Sequence, residues 1–256
     1  MNGIYDSHAH YNDEAFDDDR YDLIESLKDK GVCGLINCGT DFETSAFSLE
    51  IAEKYDFIYA ACGVHPHEAA ACNKDNYLEE LRIMCLKEKC VAIGEIGLDY
   101  HYDFSPEDTQ IKFFEEQIIL ANELDMPIIV HDREAHEDTM NLLKKYKPKG
   151  VVHCFSGSAE MAKEVLKLGM YIGLGGATTF KNAKKPLEVA AMVPDDRLLI
   201  ETDCPYMTPV PFRGQRNDSS FIPYSAEIIA GVRGCTSQEI LDITRRNANT
   251  LFGTSL

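Results

Sequence analysis

Short apolar runs rich in β-branched residues recur along the chain, and each is followed by a longer stretch whose apolar positions return every three or four residues. The first pattern predicts strands buried on both faces, and the second predicts amphipathic helices. Strands are expected at residues 3–8, 31–39, 57–65, 90–97, 127–132, 150–155, 171–176 and 197–202. Helical patterns occupy 21–30, 43–55, 76–89, 105–125, 135–146, 159–168 and 183–193, with two more at 224–232 and 237–251. The stretch "SPEDTQIKFFEEQIILANELD" opens on Ser-Pro-Glu, and its Ile111, Phe114, Ile118, Leu120 and Ala121 recur near the helical period.

Strands alternating with helices imply a parallel sheet, because parallel neighbours need a crossover between them. Eight such units in 256 residues predict a single closed (β/α)8 barrel of the TIM type rather than an open doubly wound sheet. No linker, low-complexity tract or repeat divides the chain, so residues 1–256 are read as a single domain.

Composition narrows this picture. Nine cysteines are an odd number, scattered and without a C-x-x-C pair, which predicts reduced, buried thiols. No run of about 20 apolar residues is available to span a bilayer, and the N-terminus lacks the pattern of a secretory signal, so the expected location is the cytoplasm. The net charge of −18 excludes a protein that coats nucleic acid with its whole surface. A polyanionic partner must then meet a local basic patch or bound cations. The densest acidic segment, "DEAFDDDR", is read as solvated acids opening a helix.

A barrel of this kind gathers its chemistry at the C-terminal ends of its strands. The polar residues fall there: His8 and His10 end the first strand, His65 the third and His131 the fifth, while Glu95 lies late in the fourth, His153 in the sixth, and Asp203 after the eighth. His8 and His10 are two apart, and in a strand such residues point the same way. Each residue singly has a structural explanation. Together they form a set of imidazoles and carboxylates whose burial is costly unless they are paired or metal-bound.

The expected set, His8, His10, Glu95, His131, His153 and Asp203, exceeds what one ion takes with an open coordination position. Two divalent cations are therefore expected, one on His8, His10 and Asp203 and the other on His131 and His153, with Glu95 bridging them. Two such ions clamp a phosphoryl or carbonyl oxygen and activate water for attack, which makes this a hydrolase site. Asp203 is the candidate general base, beside Glu95 at the centre of the chemistry. There is no H-E-x-x-H helix, phosphate-binding loop, dinucleotide fingerprint or G-x-S-x-G elbow, and no organic cofactor is expected. The glycines at 173, 175 and 176 are read as close backbone packing.

In chain order, "DSHAH", "GVHPHEA", "AIGEIGLDY", "PIIVHDREA", "HCFSG", "ETDCPYMTP" and "RGQRND" resemble the motifs of the TatD family of metal-dependent deoxyribonucleases, and the resemblance covers essentially the whole chain. It implies a distorted TIM-type barrel, cytoplasmic, that hydrolyses phosphodiester bonds of DNA, often from 3′ to 5′ as an exonuclease. It also carries over His8, His10, Glu95, His131, His153 and Asp203 as metal ligands, with Asp203 at catalysis. Imidazole-rich sites favour zinc, manganese or iron over magnesium, whereas the family is usually described with magnesium, so the ion's identity stays open among Mg2+, Mn2+ and Zn2+.

Substrate contacts are expected from His65, from Arg213 and Arg216 in "PFRGQRND", and from His67 and Arg133 beside them. Tyr100, His101 and Tyr102 follow the fourth strand and offer aromatic surface to an unpaired base. With so acidic a surface, DNA strand ends are a more natural partner than a duplex, and no membrane or protein partner is implied. A metal-dependent amidohydrolase or esterase acting on a small molecule, and a non-catalytic metal-binding protein, are the alternatives weighed.

Overall fold

The computed structural model describes residues 1–256. It contains eight parallel strands, β1 Ile4–Ala9, β2 Val32–Cys38, β3 Ile58–Cys62, β4 Cys90–Asp99, β5 Ile128–Arg133, β6 Gly150–Val152, β7 Tyr171–Leu174 and β8 Leu198–Ile200. They pair in sequence order, and an Ala9–Cys204 bridge joins the first strand to the chain beyond the eighth. The fold is a (β/α)8 barrel closed near its C-terminal end.

Nine helices surround it: α1 Arg20–Leu27, α2 Phe42–Lys54, α3 Tyr77–Cys85, α4 Glu107–Glu123, α5 His136–Tyr146, α6 Ala159–Lys167, α7 Lys184–Met192, α8 Ile222–Arg233 and α9 Ser237–Phe252. Local chemistry sets several of their ends. Asp41 with Thr44, and Thr236 with Glu239, form capping boxes that satisfy the first N–H groups of α2 and α9. No helix is long and apolar enough to cross a membrane.

Two apolar layers follow from strand alternation. The outer one packs strand faces against the helices, with Phe114, Ile118, Leu120 and Ala121 of α4 among its members. The inner one fills the barrel with Tyr5, Ile36, Ala61, Ala92, Ile129, Val151, Tyr171 and Leu199, and α9 closes its floor with Ala248 and Phe252. Above this layer the interior becomes polar.

The strands end earlier than the apolar runs in the sequence. β3, β6 and β8 stop at Cys62, Val152 and Ile200, so His65 and His153 stand on connecting loops rather than within strands. The backbone there leaves the ladder to turn over the barrel mouth, while most of its side chains stay buried, among them the polar His65, His153, Glu201 and Thr202. β4 runs the other way, reaching Asp99 instead of ending at Gly97. The nine cysteines are free, and Cys33, Cys72, Cys154 and Cys235 are only half-buried, a correction to the expectation that all are interior.

Candidate metal centre

Regular alternation does not place the first two histidines. Tyr5 packs inside the barrel, yet Ala9, an even number of residues later, packs in the outer layer. A register shift between Asp6 and Ala9 in the β1–β2 ladder accounts for the change of face. Beyond it His8 and His10 point together into the mouth, with their Nε2 atoms 2.9 Å apart.

Glu95 stands opposite them on β4. Its Oε2 lies 3.3 Å from His8 Nε2 and 3.4 Å from His10 Nε2. Its Oε1 lies 2.8 Å from His131 Nδ1 and 2.7 Å from His153 Nε2. One carboxylate thus offers one oxygen to each pair of imidazoles. Asp203 completes the first set, its Oδ1 at 3.6 Å from His8 Nε2 and 3.5 Å from His10 Nε2.

These separations fit metal ligation. Bonds of about 2.0–2.2 Å in a tetrahedral array leave donor atoms roughly 3.4 Å apart. The first set offers four donors, with the two imidazole nitrogens 2.9 Å apart and each 3.3–3.6 Å from the Glu95 and Asp203 oxygens. In the second, His131 Nδ1 and His153 Nε2 are 3.4 Å apart and share Glu95 Oε1, which leaves room for further ligands.

Three of the four remaining ring nitrogens are engaged, as ligating histidines require for orientation, while His153 Nδ1 has no hydrogen-bond partner. His10 Nδ1 faces the Cys38 carbonyl at 3.0 Å, and His8 Nδ1 faces the Cys38 thiol at 3.4 Å. His131 Nε2 meets Asp99 Oδ2 at 3.0 Å, and His153 Nδ1 faces Glu201 Oε1 at 3.6 Å. Glu201 also accepts the backbone N–H of Cys154. Gly173 makes room for it, since a Cβ there would lie 2.5 Å from Glu201 Oε2. The glycines at 173, 175 and 176, in and just after β7, therefore serve close packing, as the sequence predicts.

The charges reinforce one another. Burial alone would raise Glu95, but the imidazoles around it, His153 first, hold it well below the usual carboxylate range. Burial opposes charge on His10 too, yet hydrogen bonding to Asp203 and Glu95 pushes it up to about 10. His153 is likewise raised against its burial by Glu95 and Glu201. His8 is instead lowered by burial and by the neighbouring charge of His153.

The cluster lines a cavity of about 450 Å³ that opens at the C-terminal ends of the strands. His65 belongs to the cluster rather than to its outer rim: its Nε2 is 3.6 Å from Glu95 Oε1, and its Nδ1 accepts the backbone N–H of His67 at 3.2 Å. Neither Arg213 nor Arg216 is among the residues that line the cavity. Arg216 forks onto Asp19 at 2.8 and 2.6 Å, tying the acidic segment to the loop after β8. Arg213 lies over the Phe180 ring and donates to the Thr208 carbonyl at 3.1 Å. The basic side chain that does line the cavity is Arg133.

Asp99 and Glu201 are the residues that sequence reading passes over. Asp99 Oδ2 joins His131 Nε2 to His67 Nε2, the latter at 2.9 Å. A signal existed: Asp99 lies four residues beyond Glu95, on the same side of an extended strand. Glu201, two before Asp203, carries the same kind of spacing.

The model of the family described as TatD related DNase matches residues 5–253. A Bacillus subtilis protein named uncharacterized metal-dependent hydrolase YabD is 48% identical over 97% of this chain and 98% of its own length. The 3′-5′ ssDNA/RNA exonuclease TatD of a Rahnella strain is 36% identical, over 94% of each chain. Among solved structures, the TatD homologue YJJV of Escherichia coli superposes with a TM-score of 0.92 at 33% identity, covering 99% of both chains.

Proposed function

The chain belongs to the TatD-related DNase family of metal-dependent hydrolases, and from that premise we propose that it hydrolyses phosphodiester bonds at the ends of single-stranded DNA, as a 3′ to 5′ exonuclease using two divalent cations. The observation that carries the reading is the division of Glu95, one oxygen toward His8 and His10 and the other toward His131 and His153. The relative from Rahnella, whose name specifies single-stranded DNA and RNA, supports the choice of substrate.

His8, His10 and Asp203 would hold one ion, and His131 and His153 the other, with Glu95 between them. Bound divalent ions polarise a phosphoryl oxygen and lower the pKa of water. Asp203 is the proton acceptor for the attacking water, since its carboxylate is more exposed than that of Glu95, at 19% against 4%. Glu95, buried and held ionised by its imidazoles, fixes both donor sets and takes no part in proton transfer. Asp99 keeps the His131 ring aimed at the centre. Arg133 supplies a forked donor for phosphate oxygens at the mouth. Arg213 is left for a phosphate farther along the strand, and Arg216 acts as a structural tie.

Digestion of a labelled single-stranded oligonucleotide with added magnesium or manganese tests this reading. Cleavage by the wild type, and none by the chelated wild type or Asp203→Asn, is the expected result. Absence of cleavage by folded, metal-loaded protein would overturn it and direct the search to amides, esters and lactones, which the same chemistry attacks.

A further inference from the structure

The loop after β4 carries a surface that the metal cluster does not use. The rings of Tyr102 and Phe104 stack with centroids 5.4 Å apart and planes at 25°. Both stay open to solvent, 42% and 62% exposed. Contiguous exposed aromatics beside a cavity are a mark of ligand contact. The His67 ring meets both edge-on, 5.4 Å from Tyr102 and 4.8 Å from Phe104. His67 in turn shares Asp99 with His131, so the aromatic pair is continuous with the metal centre. The Arg133 guanidinium lies 4.8 Å over the Tyr102 ring.

The loop is firmly held. Asp99 Oδ1 accepts the backbone N–H groups of His101 and Tyr102 at 2.9 and 3.1 Å. Ser105 Oγ donates to the His67 carbonyl at 3.0 Å, and Gln110 Nε2 donates to the carbonyls of Ser105 and Asp99 at 2.8 and 3.0 Å. A surface already fixed in this way loses little entropy when a ligand settles on it.

We propose that Tyr102 and Phe104 form a nucleobase-stacking subsite, which takes the base of the nucleotide next to the phosphate held at the Glu95 cavity while Arg133 meets the backbone. The inference rests on the nuclease reading and adds a basis for preferring single strands. Any unpaired base has a flat face for such a platform, so stacking is tolerant of sequence. A base inside a duplex has both faces covered by its neighbours and cannot reach it. Arg133 is the one lysine or arginine among the cavity's lining residues, and it sits where backbone and base contacts would meet.

The chain contains no tryptophan, so Phe104→Trp places a single indole on the platform. Titration of the metal-loaded variant with a phosphorothioate-linked tetrathymidylate, resistant to cleavage, is expected to quench its fluorescence, and the same backbone without bases is not. An equal response to both chains, or none to either, would overturn the subsite. In turnover, Tyr102→Ala/Phe104→Ala is expected to raise KM for the normal chain by about 5- to 100-fold more than for the abasic chain. Equal changes on the two chains would also overturn it. Quenching of the Phe104→Trp variant by the normal chain alone, together with a wild-type protein that cleaves no single-stranded oligonucleotide, would instead sink the nuclease reading and leave the stacking subsite standing.

Discussion

Asp203 donates its backbone N–H to the carbonyl oxygen of His8 at 3.0 Å. The bond joins the two ends of the barrel at the level of the metal centre. Asp203 has a left-handed backbone, φ 57°, a conformation aspartate tolerates better than most residues. Its Oδ1 faces His8 and His10. Asp203→Asn keeps the backbone bond while removing a charged donor and the proton acceptor. Turnover on a single-stranded oligonucleotide should fall by about 10²- to 10⁴-fold, with the circular dichroism spectrum unchanged. Activity within a few-fold of wild type would remove Asp203 from the chemistry.

Asp99→Asn tests the support behind the second donor set. The variant keeps an oxygen for the loop amides but loses the anionic oxygen shared by His131 and His67. Outer partners of ligating histidines typically carry about 10- to 100-fold in metal affinity. A competition titration against a chromophoric chelator should show weakening of that size for the weaker-held ion. Unchanged affinity would make Asp99 a loop anchor only.

Proton competition gives the site a pH dependence of definite sign. Without metal, His10 is held protonated up to about 10 by Asp203 and Glu95, against the effect of its burial. Its folded value thus exceeds the ordinary value near 6.5. This contribution to the stability of the metal-free protein is complete below pH 6.5 and is lost as the pH rises toward about 10. Ligation needs the neutral ring, so metal affinity rises over the same window. The gap in melting temperature between metal-loaded and chelated protein should widen from pH 6 to pH 9, and a constant gap would contradict the coupling.

Gly173→Ala inserts a methyl group where Glu201 Oε2 now lies 2.5 Å away and the His153 Cα 3.1 Å away. Both are backed by packed barrel, so relief requires backbone movement. A loss of about 1–3 kcal/mol in unfolding free energy is expected, along with weaker metal binding through His153. Denaturant melts of chelated protein isolate the first effect. Wild-type stability there would mean that Glu201 has room to move.

Arg133→Ala and Arg216→Ala should separate substrate binding from structural pairing. Arg133 lines the cavity, and loss of a charge-assisted contact to phosphate raises KM for a short oligonucleotide by about 10- to 100-fold. Arg216 is committed to Asp19 in a largely exposed pair, whose removal should cost about 1 kcal/mol or less and leave KM near the wild-type value. The reverse ranking would put the loop after β8, and not the end of β5, at the phosphate.

The sequence by itself determined the barrel and the identity of the cluster. The periods of strands and helices are local, near 2.0 and 3.6 residues, so alternating apolar runs gave the order of elements. The same order put His8, His10, Glu95, His131, His153 and Asp203 at strand ends. Tertiary structure decided how these residues face one another. A register shift in β1 turns His8 and His10 inward, and no side-chain pattern announces it. The division of the Glu95 oxygens, the backing of His131 by Asp99, the placing of Glu201 beside His153 and the capture of Arg216 by Asp19 all join segments far apart in the chain. Such pairings depend on ring closure and on the side chains that compete for each charge, and neither leaves a periodic trace in sequence.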